Sequence, residues 1–149
     1  MLGKHALEML SWTRYRTRRI LDALPASFIH EPIKSSTGQT FFSPTKILEH
    51  IAWAEKMYLL HATDNRTIYI QDFTFEGKPK SHILNFLDET RKGTTNWLED
   101  RKDVDLNDIM FNKRTHMGWV FHHLPEHEAH HVGQIVMLAL IAGLNVPNV

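Results

Sequence analysis

His127-Glu128-Ala129-His130-His131-Val132-Gly133-Gln134 is the stretch on which the fold reading turns. Its two outer histidines stand four residues apart in a run of helical periodicity, so they share one helix face. Imidazole is the commonest protein ligand for transition metals near neutral pH. An i, i+4 pair can direct two ring nitrogens at one ion when a third ligand comes from elsewhere. His50 offers that third ligand. It recurs with Ile47, Ala54 and Met57 at helical spacing, which places it on the face expected to be buried.

A lone histidine on an apolar face is more often a hydrogen-bonded core residue than a ligand. The neighbours argue otherwise here. His116, His122, His123, His127, His130 and His131 crowd into sixteen positions of sequence. Several of them stacked on one face would repel if protonated and cost desolvation if buried. Coordination removes both problems.

The order Leu48-Glu49-His50-Ile51-Ala52-Trp53-Ala54-Glu55, followed by His127-x-x-His130-His131-x-Gly133-Gln134 in the last helix, resembles the DinB/YfiT-like family over essentially the whole chain. The resemblance implies an all-α fold, a four-helix bundle with long connections. It also implies a divalent ion held by one histidine of the second helix and two of the fourth, which map onto His50, His127 and His131. Many members carry Arg before the glycine, where this chain has Val132; any grip that Arg provides on a substrate or partner is missing here.

A length of 149 residues with 42% hydrophobic composition suits one domain, 1–149, with a real core. The 17 basic and 17 acidic side chains cancel, which removes the attraction on which nucleic-acid binding usually rests, so no nucleic-acid partner is expected. Without cysteine there is no disulfide framework, thiolate zinc site or cysteine nucleophile. Met1-Leu2-Gly3-Lys4-His5 leads directly into an amphipathic pattern with no signal-peptide features, and the expected location is cytoplasmic, without a membrane partner.

The first helix is expected over Lys4 to Leu24, with Ala6, Leu10, Thr13, Thr17, Ile20 and Leu24 inward and Pro25 ending it. Arg14, Arg16, Arg18 and Arg19 scatter around that helix and read as a solvated face, outside the site. From Pro25 to Phe42 the chain reads as a long connection. Ser43-Pro44 starts the second helix, Ser43 capping it, and the helix runs to about His61. His61, eleven residues beyond His50, stands about 16 Å along the axis and cannot share its ion.

Asn65 to Pro79 alternates apolar positions (Ile68, Ile70, Phe73, Phe75) and reads as a short extended segment. Ser81 is expected to cap the third helix, whose inward stripe is Ile83, Leu87, Thr90, Thr94 and Trp97, with Gly93 weakening its middle. Lys102 to Arg114 reads as a second connection. The fourth helix should run from Thr115 to Ala142, kinked rather than broken at Pro125, because Val120, Leu124, His127 and His131 keep their period across it. Gly143 ends it. Ile135-Val136-Met137-Leu138-Ala139-Leu140-Ile141 is apolar on every side, more than one bundle can cover and too short for a bilayer, which suggests a homodimer.

Three neutral imidazoles leave an ion coordinatively unsaturated, as in catalytic sites. Zn or Ni is expected first, then Fe, Co or Mn. Members of the family that this chain resembles include metal-dependent thiol S-transferases and suspected hydrolases. The function expected is therefore a metal-dependent enzyme activating a low-molecular-weight thiol, or water, toward a small electrophilic substrate. The alternative is a stress-associated metal-binding or structural protein that turns nothing over. His123 and His130, next to the ligands, and Gln134, one turn beyond His131, are the candidates for support around the site.

Overall fold

The computed structural model describes residues 2–62, 73–101, 106–107 and 115–148. Four long helices form a bundle: α1 (Leu2–Ala23), α3 (Pro44–Ala62), α4 (Lys80–Glu99) and α5 (Met117–Ile141). Helices α1 and α3 each pack against both α4 and α5, so α1 lies diagonally across from α3. The connection between those two must therefore cross the end of the bundle. It does so through the five-residue helix α2 (Ala26–His30) and a hairpin of β1 (Ile33–Lys34) and β2 (Thr40–Phe41), paired Ile33 to Phe41 and Lys34 to Thr40. Where the sequence predicts a plain connection, the structure has local order, because Phe28, Ile29 and Ile33 give this segment apolar anchors in the core.

The inward stripe of α1 is as expected, with Ala6, Leu10, Thr13, Thr17, Ile20 and Leu24 all buried. Its C-terminal carbonyls are held from across the bundle: Lys80 Nζ donates to the carbonyls of Leu21 (2.8 Å), Asp22 (3.1 Å) and Leu24 (2.8 Å). A cation at a helix C-terminus satisfies orphan acceptors and complements the dipole. Lys80 is also the first residue of α4, where Pro79 rather than Ser81 occupies the cap position, without a side-chain cap bond. Ile83, Leu87, Thr90 and Thr94 are buried as predicted. Gly93 sits inside a continuous helix; a Cβ there would stand 3.3 Å from Leu59 Cδ2 of α3, so its smallness serves close helix packing.

Helix α3 begins at Pro44, and the Ser43 hydroxyl bonds that of Thr45 at 2.8 Å. Its buried face is Leu48, Ile51, Ala52 and Glu55. His50 therefore does not lie on the buried face: it is exposed at the edge of α3, one position away from the stripe that faces the core. The charged Glu55 in that stripe disguises it in the sequence. Of the expected extended segment, Ile68 and Ile70 fall outside the described residues; Phe75 is buried against the core, with Phe73 packed at its margin. Of the second connection only Leu106 and Asn107 are described, and Leu106 is buried.

Helix α5 runs through Pro125 without interruption, so the break does not occur. His116 caps it, its Nδ1 accepting from the Trp119 amide at 3.3 Å. Gly143, with φ of +74°, ends it in the left-handed conformation that glycine adopts without a Cβ penalty, and the Leu144 amide returns to the Ala139 carbonyl at 2.9 Å. In the apolar run, Ile135, Leu138 and Ala139 are buried, whereas Met137, Leu140 and Ile141 are exposed.

Candidate metal centre

The neighbouring helices α3 and α5 bring His50, His127 and His131 together on one open face of the bundle. Each residue offers a ring nitrogen within 4.8 Å of the other two. His50 Nε2 and His127 Nε2 are 3.1 Å apart. Two ligands on a tetrahedral ion, each bound at about 2.0–2.1 Å, would stand roughly 3.3 Å apart, so this pair already has the spacing of a coordination edge. His50 is exposed and His127 and His131 are half-buried, which leaves the rings freedom to rotate.

Protonation favours the same reading. Partial burial lowers the pKa of His127 to about 4, assisted by repulsion from His131, His50, His123 and His130. Burial and repulsion from His131 also lower that of His50. Both rings are thus neutral near pH 7, with lone pairs free to donate. Gln134 orients the third. Its Oε1 accepts from His131 Nδ1 at 2.8 Å, and its Nε2 donates to His130 Nε2 at 3.3 Å. With the proton on Nδ1, His131 keeps Nε2 as a donor for a metal. These donor atoms, the neutrality of His50 and His127, and the spacing fit a divalent transition metal.

The other candidates divide. His130 is exposed and touches the site through Gln134. His123 stacks on Trp119, with centroids 4.5 Å apart, and meets Glu126 Oε2 at 3.4 Å; its ring lies 5.7 Å from that of His127, flanking the group. His116 serves as the helix cap, and His122 faces His5 at 6.1 Å. Two clefts border the histidines. One, of about 470 Å³, is lined by Phe42, Lys46, Ile47, His50, His131 and Gln134. A second, of about 270 Å³, is lined by Lys46, Glu49, His50, Trp53 and Phe73. Glu49 ties the latter's wall together, accepting from Lys46 Nζ (2.9 Å), Thr74 Oγ1 (2.9 Å) and the Phe75 amide (2.6 Å).

Behind the histidines lies a charged cluster that the sequence reading misses. Arg14, assigned there to a solvated face, is buried in the centre of the bundle, because two carboxylates await it. Arg14 Nε donates to Glu128 Oε1 at 2.9 Å and its Nη2 to Glu55 Oε2 at 3.3 Å. Arg91 Nε donates to Glu55 Oε1 at 2.6 Å and its Nη2 to Glu128 Oε2 at 2.5 Å. Arg14 also holds the Leu87 carbonyl and Arg91 the Leu10 carbonyl, and Thr17 Oγ1 donates to Glu128 at 2.7 Å. Burial alone would raise the Glu128 pKa, yet Arg14 and Arg91 outweigh it and hold the carboxyl at about 2. Each of the four helices supplies one charge. A signal existed in the sequence at Glu128, which occupies an i, i+4 slot in an apolar ladder between Leu124 and Val132.

The sequence model of the DinB superfamily matches residues 9–135. No curated protein sequence matches the chain significantly. Among solved structures, a DinB-like protein from Bacillus cereus is similar with a TM-score of 0.70 at 20% identity, over 98% of this chain and 96% of that one. An uncharacterised protein from Escherichia coli has a TM-score of 0.74 at 12% identity, over 97% and 96%. The colibactin self-resistance protein ClbS, solved in complex with double-stranded DNA, has a TM-score of 0.68 at 14% identity, over 91% and 94%. That complex corrects the expectation that excluded nucleic acid: a protein of this fold is found on DNA. Zero net charge was too coarse a criterion, since binding responds to the local field rather than to the whole-chain sum. No helix among the described residues is long and apolar enough to cross a membrane.

Proposed function

The chain belongs to the DinB superfamily, and from that premise we propose that it is a metal-dependent enzyme that joins a small electrophile to a low-molecular-weight thiol, or hydrolyses it, at His50, His127 and His131. The observation that carries this reading is the convergence of three histidine nitrogens within 4.8 Å on a face flanked by clefts. An ion held by three neutral imidazoles supplies Lewis acidity and lowers the pKa of a thiol or water brought to it.

The protein's own part is positioning. Gln134 fixes the His131 tautomer, and partial burial, assisted by the crowding of the rings, keeps His50 and His127 neutral. Phe42 and Ile47 give the larger cleft an apolar wall for the body of a substrate, with Lys46 at its rim. The smaller cleft shares Lys46 and His50 with it, so two reactants could approach the histidines from two sides, an arrangement that suits group transfer better than hydrolysis. With no cysteine in the chain, the attacking group comes from a cosubstrate or solvent.

The test is a screen of metal-loaded protein against electrophiles, with and without added thiol. Thiol-dependent consumption that falls to background in His131→Ala and after chelation supports the transferase; turnover of esters or amides without thiol supports the hydrolase. Neither activity across a broad panel would favour the non-catalytic metal-binding alternative.

A further inference from the structure

We infer that the buried cluster of Arg14, Arg91, Glu55 and Glu128 positions the histidine site by fixing the axial register of α3 against α5. The inference rests on the metal reading above and adds residues that touch neither metal nor substrate. The placement of the charges carries it. Glu55 lies on α3, five residues beyond His50, and Glu128 on α5 directly follows His127. The two helices that carry the histidines therefore each present a carboxylate to the interior, and the two carboxylates would repel if left alone.

Both guanidiniums bridge the pair. Arg14 reaches Glu128 and Glu55, and Arg91 reaches Glu55 and Glu128, over 2.5–3.3 Å. The cations are themselves locked, since Arg14 on α1 holds a carbonyl of α4 and Arg91 on α4 holds a carbonyl of α1. Sliding α3 along α5 by one residue, about 1.5 Å, would spoil the alignment in which each guanidinium spans both carboxylates at once. The apolar side chains that the same helices send into the core, such as Ile51, Ala52, Val132 and Ile135, have no comparable directional demand. A three-nitrogen site does: its ligand distances tolerate only about 0.2 Å. Setting register is also the best-attested use of buried ionic groups, which contribute little net stability.

Cobalt(II) titration followed by visible absorption tests this, because it reads affinity and ligand geometry without turnover. Arg91→Lys keeps the charge but loses the planar fork. Thr17→Val removes one hydrogen bond to Glu128. Leu98→Ala, a buried apolar truncation on α4 outside the cluster, controls for destabilisation alone. Arg91→Lys should weaken cobalt binding about tenfold and shift the absorption bands, with Thr17→Val changing in the same direction by less. Leu98→Ala should lower the unfolding temperature while leaving affinity and spectrum as in the wild type. If Arg91→Lys does not fold, Thr17→Val decides. Wild-type affinity and spectrum in the network variants, or an equal loss in Leu98→Ala, would overturn the positioning role. A wild type that binds no cobalt is a different result, and overturns the metal reading on which the inference stands.

Discussion

His127 and Glu128 are consecutive residues of one helix, yet they face opposite electrostatic regimes. On the open face, five imidazoles (His50, His123, His127, His130, His131) crowd together, and partial burial with that repulsion pushes His50 and His127 toward the neutral form. In the interior, two cations and two anions hold one another charged, and Glu55 and Glu128 have side chains only 1% exposed. The first arrangement is poor at stabilising a fold and good at donating lone pairs. The second holds the helices in one arrangement and binds nothing: both carboxylates are fully engaged, and nothing is left for a substrate. One bundle thus separates the chemistry from the scaffold by a single helical step.

The largest expected effect contrasts those neighbours. Glu128→Ala leaves two buried guanidiniums sharing one carboxylate and should cost about 3–5 kcal/mol in urea unfolding, whereas His127→Ala in metal-free protein should change stability by no more than about 1 kcal/mol. Similar losses in both would erase the distinction. Acid should sharpen it next. The Glu128 pKa falls from an ordinary 4.5 to about 2 on folding, so its contribution, on the order of 3 kcal/mol, is complete above pH 4.5 and is lost as pH falls from there toward 2. Denaturant midpoints measured across that window should decline steeply, and Glu128→Gln should flatten the decline. Gln134→Ala gives the smallest effect: it frees the His131 ring without touching the core. Metal affinity should drop about tenfold at an unchanged unfolding temperature, by calorimetric titration and melting of the metal-free variant.

The two regions also differ in how far the sequence disclosed them. The histidine face was legible because its signal is local: the i, i+4 spacing of His127 and His131 survives any detail of packing, and Gln134 one turn on duly reaches His131. His50 was found through its position among apolar residues, although the structure sets it at the edge of α3 rather than in the core. The individual helices followed from their apolar stripes and their assembly into a bundle from the family resemblance, and Pro125 was accommodated within α5 because the periodicity crosses it. The charged interior was not legible in the same way. Arg14 looks like one of four exposed arginines until Glu55 and Glu128 are known to face it, and those lie 41 and 114 residues away. A long-range pairing leaves only an indirect trace in sequence, a charge standing in an apolar ladder.

The most direct test of the central claim is calorimetric titration of chelator-treated, folded protein with zinc, repeated on His50→Ala, His127→Ala, His131→Ala, and on His116→Ala and His122→Ala as controls. The account predicts one ion per chain in the wild type and both controls, and loss of stoichiometric binding in each of the first three variants. Wild-type binding that persists in His50→Ala or His131→Ala, or that disappears in His122→Ala, would contradict it.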